Sequence, residues 1–306
     1  MNATASMKPD TRIVAWGSEL RTNSLGFRDD KTDVPAKRPG AFRVIVLGDS
    51  FTVAAGVDFD RLYTSLLESR WKRKTPGLEV MNLAVGGYNP IQYELVLKEV
   101  ALELRPDLVL VAVFPFNDLS NDTYRGNFEE AQGVQRTPTR TPWFKKLYVY
   151  RAFLVRAESR IRSMVSRPRT PTPADGRAKL DSQRVARQDA QENLEALERT
   201  MTLAASNGIP AAIALLPNTD TYDLQRPDFA PFETLCQQHR WTCINLLDDF
   251  AANEVPPKSL RLNVIDGHPN NQYHELVADT LDKWMWPVVE SAQRPVAEVH
   301  ASGGGL

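Results

Sequence analysis

The chain of 306 residues is 42% hydrophobic and 25% charged, with a formal net charge of -1, the profile of an ordinary soluble globular protein with room for one large core or two smaller ones. A near-neutral balance gives no electrostatic case for nucleic acid as a partner. No apolar run approaches the ~20 residues of a membrane span, so no integral span is expected. The N-terminus, MNATASMKPDTR, lacks an apolar leader segment. The expected location is therefore cytoplasmic as the sequence stands, or periplasmic or secreted if a leader precedes it.

In chain order, the first strong element is FRVIVLGDSFT, residues 42–52. Its run Val44 to Leu47 is apolar and largely β-branched and stops at Gly48-Asp49-Ser50, which reads as a strand buried on both faces, as in a parallel sheet. Leu62 to Lys72 carries a helical stripe of Tyr63, Leu66, Leu67 and Trp71. LEVMNLAV is a second strand, ending at Gly86-Gly87. Asn89 then caps a helix with Pro90 in its first position. Tyr93, Val96, Leu97, Val100 and Leu104 form its buried face, and Arg105-Pro106 stops it. DLVLVAVFPF is the third strand.

Residues 119–190 interrupt this rhythm. Thr137 to Pro142 and Arg167 to Asp175 are Pro-rich and read as surface loops. Between them, Lys145 to Val165 has a stripe of Tyr150, Phe153, Leu154, Ala157, Ile161 and Val165, an amphipathic helix inserted over the carboxyl edge of the sheet. Its arginine-rich side offers a membrane surface or an anionic substrate something to meet, but a solvated outer face is the favoured reading. Trp143, Phe144, Tyr148 and Tyr150 are read as core before they are read as sugar-stacking or acyl-gripping groups.

Beyond the insertion, Leu194, Leu197, Met201 and Ala204 mark a helix that ends at Asn207-Gly208. AAIALLP is the fourth strand, a short helix spans about Phe232 to Gln238, TCINLL is the fifth strand, and a last helix covers about Gln272 to Trp286. Strands alternating with helices predict a parallel α/β sheet. Cys236 and Cys243 lie on a helix end and the next strand and are read as two buried thiols rather than a disulfide scaffold. The four histidines, His239, His268, His274 and His300, show no paired metal-binding spacing, so neither a metal nor a cofactor is expected.

The chemistry-bearing residues sit at carboxyl ends of predicted strands, where open α/β sheets place their ligands. Ser50 is a candidate nucleophile. A serine hydroxyl needs a base, a group that orients the base, and N–H donors for a developing oxyanion. His268 is the candidate base and Asp266 its orienting carboxylate. Gly87, or its neighbour Gly86, and Asn117 are candidate oxyanion donors beside the backbone N–H of Ser50. Each alone is also a plain turn or cap residue.

Four blocks, GDSFT around Ser50, NLAVGG around Gly87, FND around Asn117 and DGHPN around His268, resemble those of the SGNH (GDSL-type) hydrolases, named for a set of Ser, Gly, Asn and His. The resemblance spans about residues 42–286, and NSLGFRD at 23–29 is similar to the lead-in of bacterial members. It implies a three-layer α/β/α sandwich of flavodoxin-like type with a five-stranded parallel sheet and the insertion after its third strand. It implies catalytic roles for Ser50, His268 and Asp266, and an oxyanion hole of Ser50, Gly87 and Asn117. Many members space the acid and base as D-x-x-H, while this chain has D-x-H; shorter spacings occur in bacterial relatives, including those that act on polysaccharide acetyl groups. The expected organisation is an N-terminal extension over 1–40 on or near the core, a hydrolase domain over 41–290, and a flexible tail over 291–306. The expected function is hydrolysis of a small acyl ester, an acetyl group in the first instance, on a small molecule or a carbohydrate. The alternatives are an O-acyltransferase using the same site and a non-catalytic binding module of the same fold.

Overall fold

The structure, a computed structural model, describes residues 6–30, 32–34, 36–121, 173–264 and 266–293, without the side chains of 173–180. The chain divides into two compact units, residues 1–121 with 190–306, and residues 122–189. The expected helix at Lys145 to Val165, with its aromatic and arginine residues, lies outside the described residues, as does the tail beyond Gln293.

The first unit opens with a hairpin of β1 (Arg12–Ala15) and β2 (Ser18–Arg21), which the sequence reading did not anticipate. Its two-residue turn, Trp16-Gly17, has φ of 52° and 85°, the paired positive values that a tight hairpin turn needs. The main sheet follows. Its strands are β3 (Phe42–Gly48), β4 (Leu78–Asn82), β5 (Leu108–Val113), β6 (Ala211–Leu215) and β7 (Thr242–Asn245). All pairings are parallel, in the order β4-β3-β5-β6-β7.

Every residue of β3 and of β5 is buried, which is why these segments read as unbroken apolar runs. The two-residue period of a strand sorts their side chains between two cores. Val44, Val46, Leu108 and Leu110 pack with Leu67 and Trp71 of α2 (Tyr63–Lys74) and with Tyr273, Val277 and Leu281 of the last helix. Ile45, Leu47, Val109 and Val111 pack instead with Tyr93 and Val96 of α3 (Pro90–Val96), Leu197 and Met201 of α4 (Pro173–Ser206), and Phe229 and Phe232 of α5 (Arg226–His239). Helices on both faces of one parallel sheet make the three-layer α/β/α sandwich. A one-turn helix, α1 (Ser50–Val53), lies between β3 and α2.

Several boundaries differ from the sequence reading. TCINLL is not strand throughout: Asn245 ends β7 and its side chain accepts from the Leu247 N–H at 2.9 Å, capping α6 (Leu246–Ala252). The apolar Leu-Leu pair packs equally well from a helix, so periodicity alone did not separate the two. Pro173 to Asp175, read as loop, begin α4; a proline costs nothing in a first turn. The last helix, α7 (Asn271–Gln293), continues past Trp286 through Pro287, so residues 291–293, read as the start of a tail, are its final turn. Cys236 and Cys243 are joined in a disulfide, their Cα atoms 6.1 Å apart, where two separate thiols were expected. Arg240 in a left-handed conformation reverses the chain between them, bringing the helix end over the strand start. Among the described residues no helix is long and apolar enough to cross a membrane.

Candidate active site

The strand order reverses between β3 and β5, so their connections leave in opposite directions and open a crevice at their carboxyl ends, the usual ligand position in this topology. Ser50 follows β3 and Asn117 follows β5. Gly48 makes the tight exit from β3 possible: a Cβ there would stand 2.5 Å from the Thr52 Oγ1 and 3.2 Å from the Ala112 carbonyl oxygen. Asp49 caps α1, its Oδ1 accepting from the Phe51 N–H at 2.9 Å. Ala54, left-handed at φ 51°, closes the helix by donating to the Ser50 carbonyl at 2.8 Å.

The second block lies beside the first. The Val85 N–H donates to the Gly48 carbonyl at 3.1 Å, and Tyr88 donates back to Val85 at 3.2 Å, closing a turn around Gly86-Gly87. Gly87 has φ 78°, a left-handed value that glycine adopts without penalty. Gly86 faces the serine: a Cβ on it would be 3.9 Å from the Ser50 Cβ. Asn117 stands in a turn after β5 and donates from Nδ2 to the Asp49 Oδ2 at 3.3 Å. Asp118 steadies that turn, accepting from the Phe114 N–H at 3.0 Å and the Tyr93 hydroxyl at 2.8 Å.

His268 and Asp266 come from the loop before α7. The His268 Nε2 is 3.1 Å from the Ser50 Oγ, and its Nδ1 is 2.6 Å from the Asp266 Oδ1. The D-x-H spacing works through an Asx turn. The same Asp266 Oδ1 accepts from the His268 backbone N–H at 3.0 Å, so one carboxylate oxygen binds both backbone and ring of the residue two positions on. The loop is laced from outside. Asn263 Oδ1 accepts from the Asp266 N–H at 2.9 Å, the Thr219 hydroxyl donates to the Gly267 carbonyl at 2.7 Å, and Asn270 Nδ2 donates to the Arg261 carbonyl at 3.0 Å. The ring tautomer is assigned from this network: Nδ1 holds the proton and Nε2 is left to accept.

Thus Ser50, His268 and Asp266 form one continuous hydrogen-bonded chain, with Gly86 and Asn117 on the same rim. Asp49 was read only as part of the turn; the structure makes it a buried carboxylate whose pKa burial raises to about 6. A buried acid directly before a nucleophile candidate is the signal that would have singled it out. Of the other histidines, His274 is buried and its ring Nδ1 accepts from the Tyr63 N–H at 3.2 Å. Burial lowers its pKa to about 3, so it stays neutral as a cap for α2. Among the described residues no cluster of His, Cys, Asp or Glu could hold a metal ion.

Fold and rim together have the form of an α/β acylhydrolase. The chain belongs to the GDSL-like lipase/acylhydrolase family, the SGNH-type esterases, whose family model matches residues 46–276. Three solved structures of similar backbone are TesA (13% identity, TM-score 0.48, covering 80% of this chain and 99% of that one), the psychrotrophic esterase EstA from Pseudoalteromonas sp. (13%, 0.47, 81% and 98%) and the acetyl xylan esterase AlAXEase (19%, 0.47, 81% and 100%). No curated protein matches the sequence.

Proposed function

We propose that the protein is a serine esterase that removes a small acyl group, acetyl above all, from a carbohydrate ester. The observation that supports this reading is the run of contacts from Ser50 Oγ to His268 Nε2 at 3.1 Å and from Nδ1 to Asp266 at 2.6 Å. Ser50 Oγ attacks the acyl carbon as its proton passes to Nε2. The Asp266 carboxylate holds the ring and stabilises the imidazolium without taking the proton. The oxyanion accepts from the Ser50 N–H, from the glycine turn through Gly87 or its neighbour Gly86, and from Asn117 Nδ2. The alcohol leaves with the proton from Nε2. Water then gives a proton to Nε2 as it attacks the acyl-serine, and Nε2 returns that proton to the departing Ser50 Oγ, releasing the acid and restoring free Ser50 and neutral His268.

Two exposed side chains at the rim support a carbohydrate ester as substrate. The His268 side chain is 44% exposed and Phe116, next to Asn117, is 64% exposed. An exposed aromatic ring beside the site suits an ester carried on a carbohydrate, since a flat aromatic face packs against a sugar ring. The disulfide supports residence in an oxidising compartment.

The test is a panel of aryl acetate, aryl octanoate and acetylated xylo-oligosaccharide, with acid release and acyl transfer to added sugar followed together. Acetate release in water, with the octanoate much slower, is the expected result. Acetyl transfer to sugar in place of release would make it a transferase, and no Ser50-dependent turnover of any ester would leave a binding module.

A further inference from the structure

The oxyanion donor Asn117 has a geometric problem. A primary amide is nearly the same shape either way round, and only its Nδ2 end can stabilise an oxyanion. The Asn117 Oδ1 is buried and, among the described residues, has no hydrogen-bond partner. Its orientation is therefore decided at the other end, where Nδ2 meets the Asp49 Oδ2 at 3.3 Å.

We infer that Asp49 is a positioning residue for the oxyanion hole, its carboxylate accepting one of the two Nδ2 protons of Asn117 and so aiming the other at the reacting oxygen. This rests on the serine-esterase reading above. The two oxygens of Asp49 divide the work. Oδ1 takes the Phe51 N–H and fixes the start of the nucleophile helix, while Oδ2 takes Asn117. If the amide flipped, its Oδ1 would face an ionised carboxylate, which repels it; the charge selects the productive orientation. A neutral, protonated Asp49 loses this selectivity, because its hydroxyl can donate to a flipped Oδ1. With burial holding the pKa at about 6, the carboxylate is ionised at neutral pH and becomes neutral under mild acid.

The groups facing Asp49 from the surrounding elements are His268, Asp118, Tyr63, Tyr93 and Tyr273. Burial pushes the three tyrosines upward, so they stay neutral at the pH values concerned. Asp118 is also pushed upward, by burial and then by Asp49.

The experiment measures kcat and KM on an aryl acetate from pH 5 to 9 for wild type, Asp49→Asn, Asn117→Ala, the double variant and Ser50→Ala. Asp49→Asn keeps the oxygen that caps Phe51 but turns a second NH2 toward Asn117. It should lose about 100-fold in kcat with KM little changed, as loss of one oxyanion donor does. The double variant should be no slower than Asn117→Ala within about threefold, since coupled groups are not additive. Below pH 6 the wild-type fall of log kcat/KM with pH should be steeper by one proton than that of Asp49→Asn. Asp49→Ser, which keeps a capping oxygen but cannot reach Asn117, should behave like Asp49→Asn. Thermal unfolding of each variant checks that the fold survives. Near-wild-type kcat in a folded Asp49→Asn, or a double variant whose loss is the product of the two single losses, overturns the inference. A Ser50→Ala variant as active as wild type overturns the esterase reading instead, and the inference with it.

Discussion

Ser50 and Asn117 stand at the ends of β3 and β5, adjacent strands whose residues are all buried, whereas Asp266 and His268 stand in a loop held by side-chain-to-backbone hydrogen bonds. The first pair is placed by packing. Phe51, next to Ser50, stacks on Phe114 at 3.7 Å between ring centroids, and the apolar strands beneath leave little freedom. The second pair is placed by polar contacts, with the Asp266 side chain 17% exposed and that of His268 44% exposed. Two differently supported halves meet at the 3.1 Å contact between Oγ and Nε2, with the His268 ring tilted against Phe51 at 5.8 Å between centroids. The packed half should tolerate surroundings but not substitution at its own atoms. The loop half should depend on each bond that laces it.

The largest expected effect lies in the loop half. His268→Ala should lose about 10⁴-fold or more in kcat, because it removes the base outright. Asp266→Asn leaves Nε2 present but spoils its tautomer, and a loss of up to about 10⁴-fold has a precedent in serine proteases. Comparing the two variants across pH sharpens the contrast. If Asp266→Asn matches wild type at every pH, the Asx turn is structural only and the base works without it.

In the packed half, Asn117→Ala should lower kcat by about 100- to 1,000-fold with KM nearly unchanged. A rise in KM at constant kcat would mean that Asn117 binds the ground state and is no oxyanion donor.

Asp49 gives a stability effect of the opposite sense. Its carboxyl is displaced from the ordinary 3.8 to about 6 by burial, a cost of the order of 3 kcal/mol for carrying the charge inside. The folded state therefore holds a proton that the unfolded chain has already released. This contribution to stability is fully present below about 3.8, is lost as pH rises towards 6, and is flat above that. Asp49→Asn cannot carry the charge, so its stability relative to wild type should improve between pH 4 and 7. Urea unfolding at both ends of that window measures it; a constant difference would mean that the fold leaves the Asp49 pKa at its unfolded value.

The smallest effect is expected away from the rim. The disulfide spans a sequence separation of 7, and closing so short a loop contributes roughly 2 kcal/mol. Replacing Cys236 and Cys243 by serine should lower stability by about that amount and leave kcat unchanged. Two free thiols in the protein isolated without reductant would contradict the bond.

The sequence revealed the packed half far better than the loop half, for a physical reason. A strand buried on both faces has to be apolar throughout, so its end, and hence Ser50 and Asn117, can be located from composition alone. The cap of α3 at Asn89-Pro90 was legible for the same kind of reason, since few residue pairs start a helix so well. In the loop, DGHP says only that the chain turns. That Asp266 reaches both the ring and the backbone of His268 depends on contacts from Thr219 and Asn263, which no local pattern reveals. The hairpin β1–β2 is too short to show alternation. Arg28 was read only as part of a lead-in, yet its guanidinium is buried and donates to the Val53 and Ala54 carbonyls at the end of α1 and to that of Val57 in the turn beyond. A charged residue whose hydrogen bonds go to backbone carbonyls leaves no side-chain pattern in the sequence to find.

Whether Ser50 carries the acyl group is decided by trapping the chain at that atom. Wild type treated with a fluorophosphonate should gain one adduct by intact mass, mapped by peptide sequencing to Ser50, while Ser50→Ala gains none and no longer hydrolyses esters. An adduct on another serine, or undiminished hydrolysis by Ser50→Ala, would contradict it.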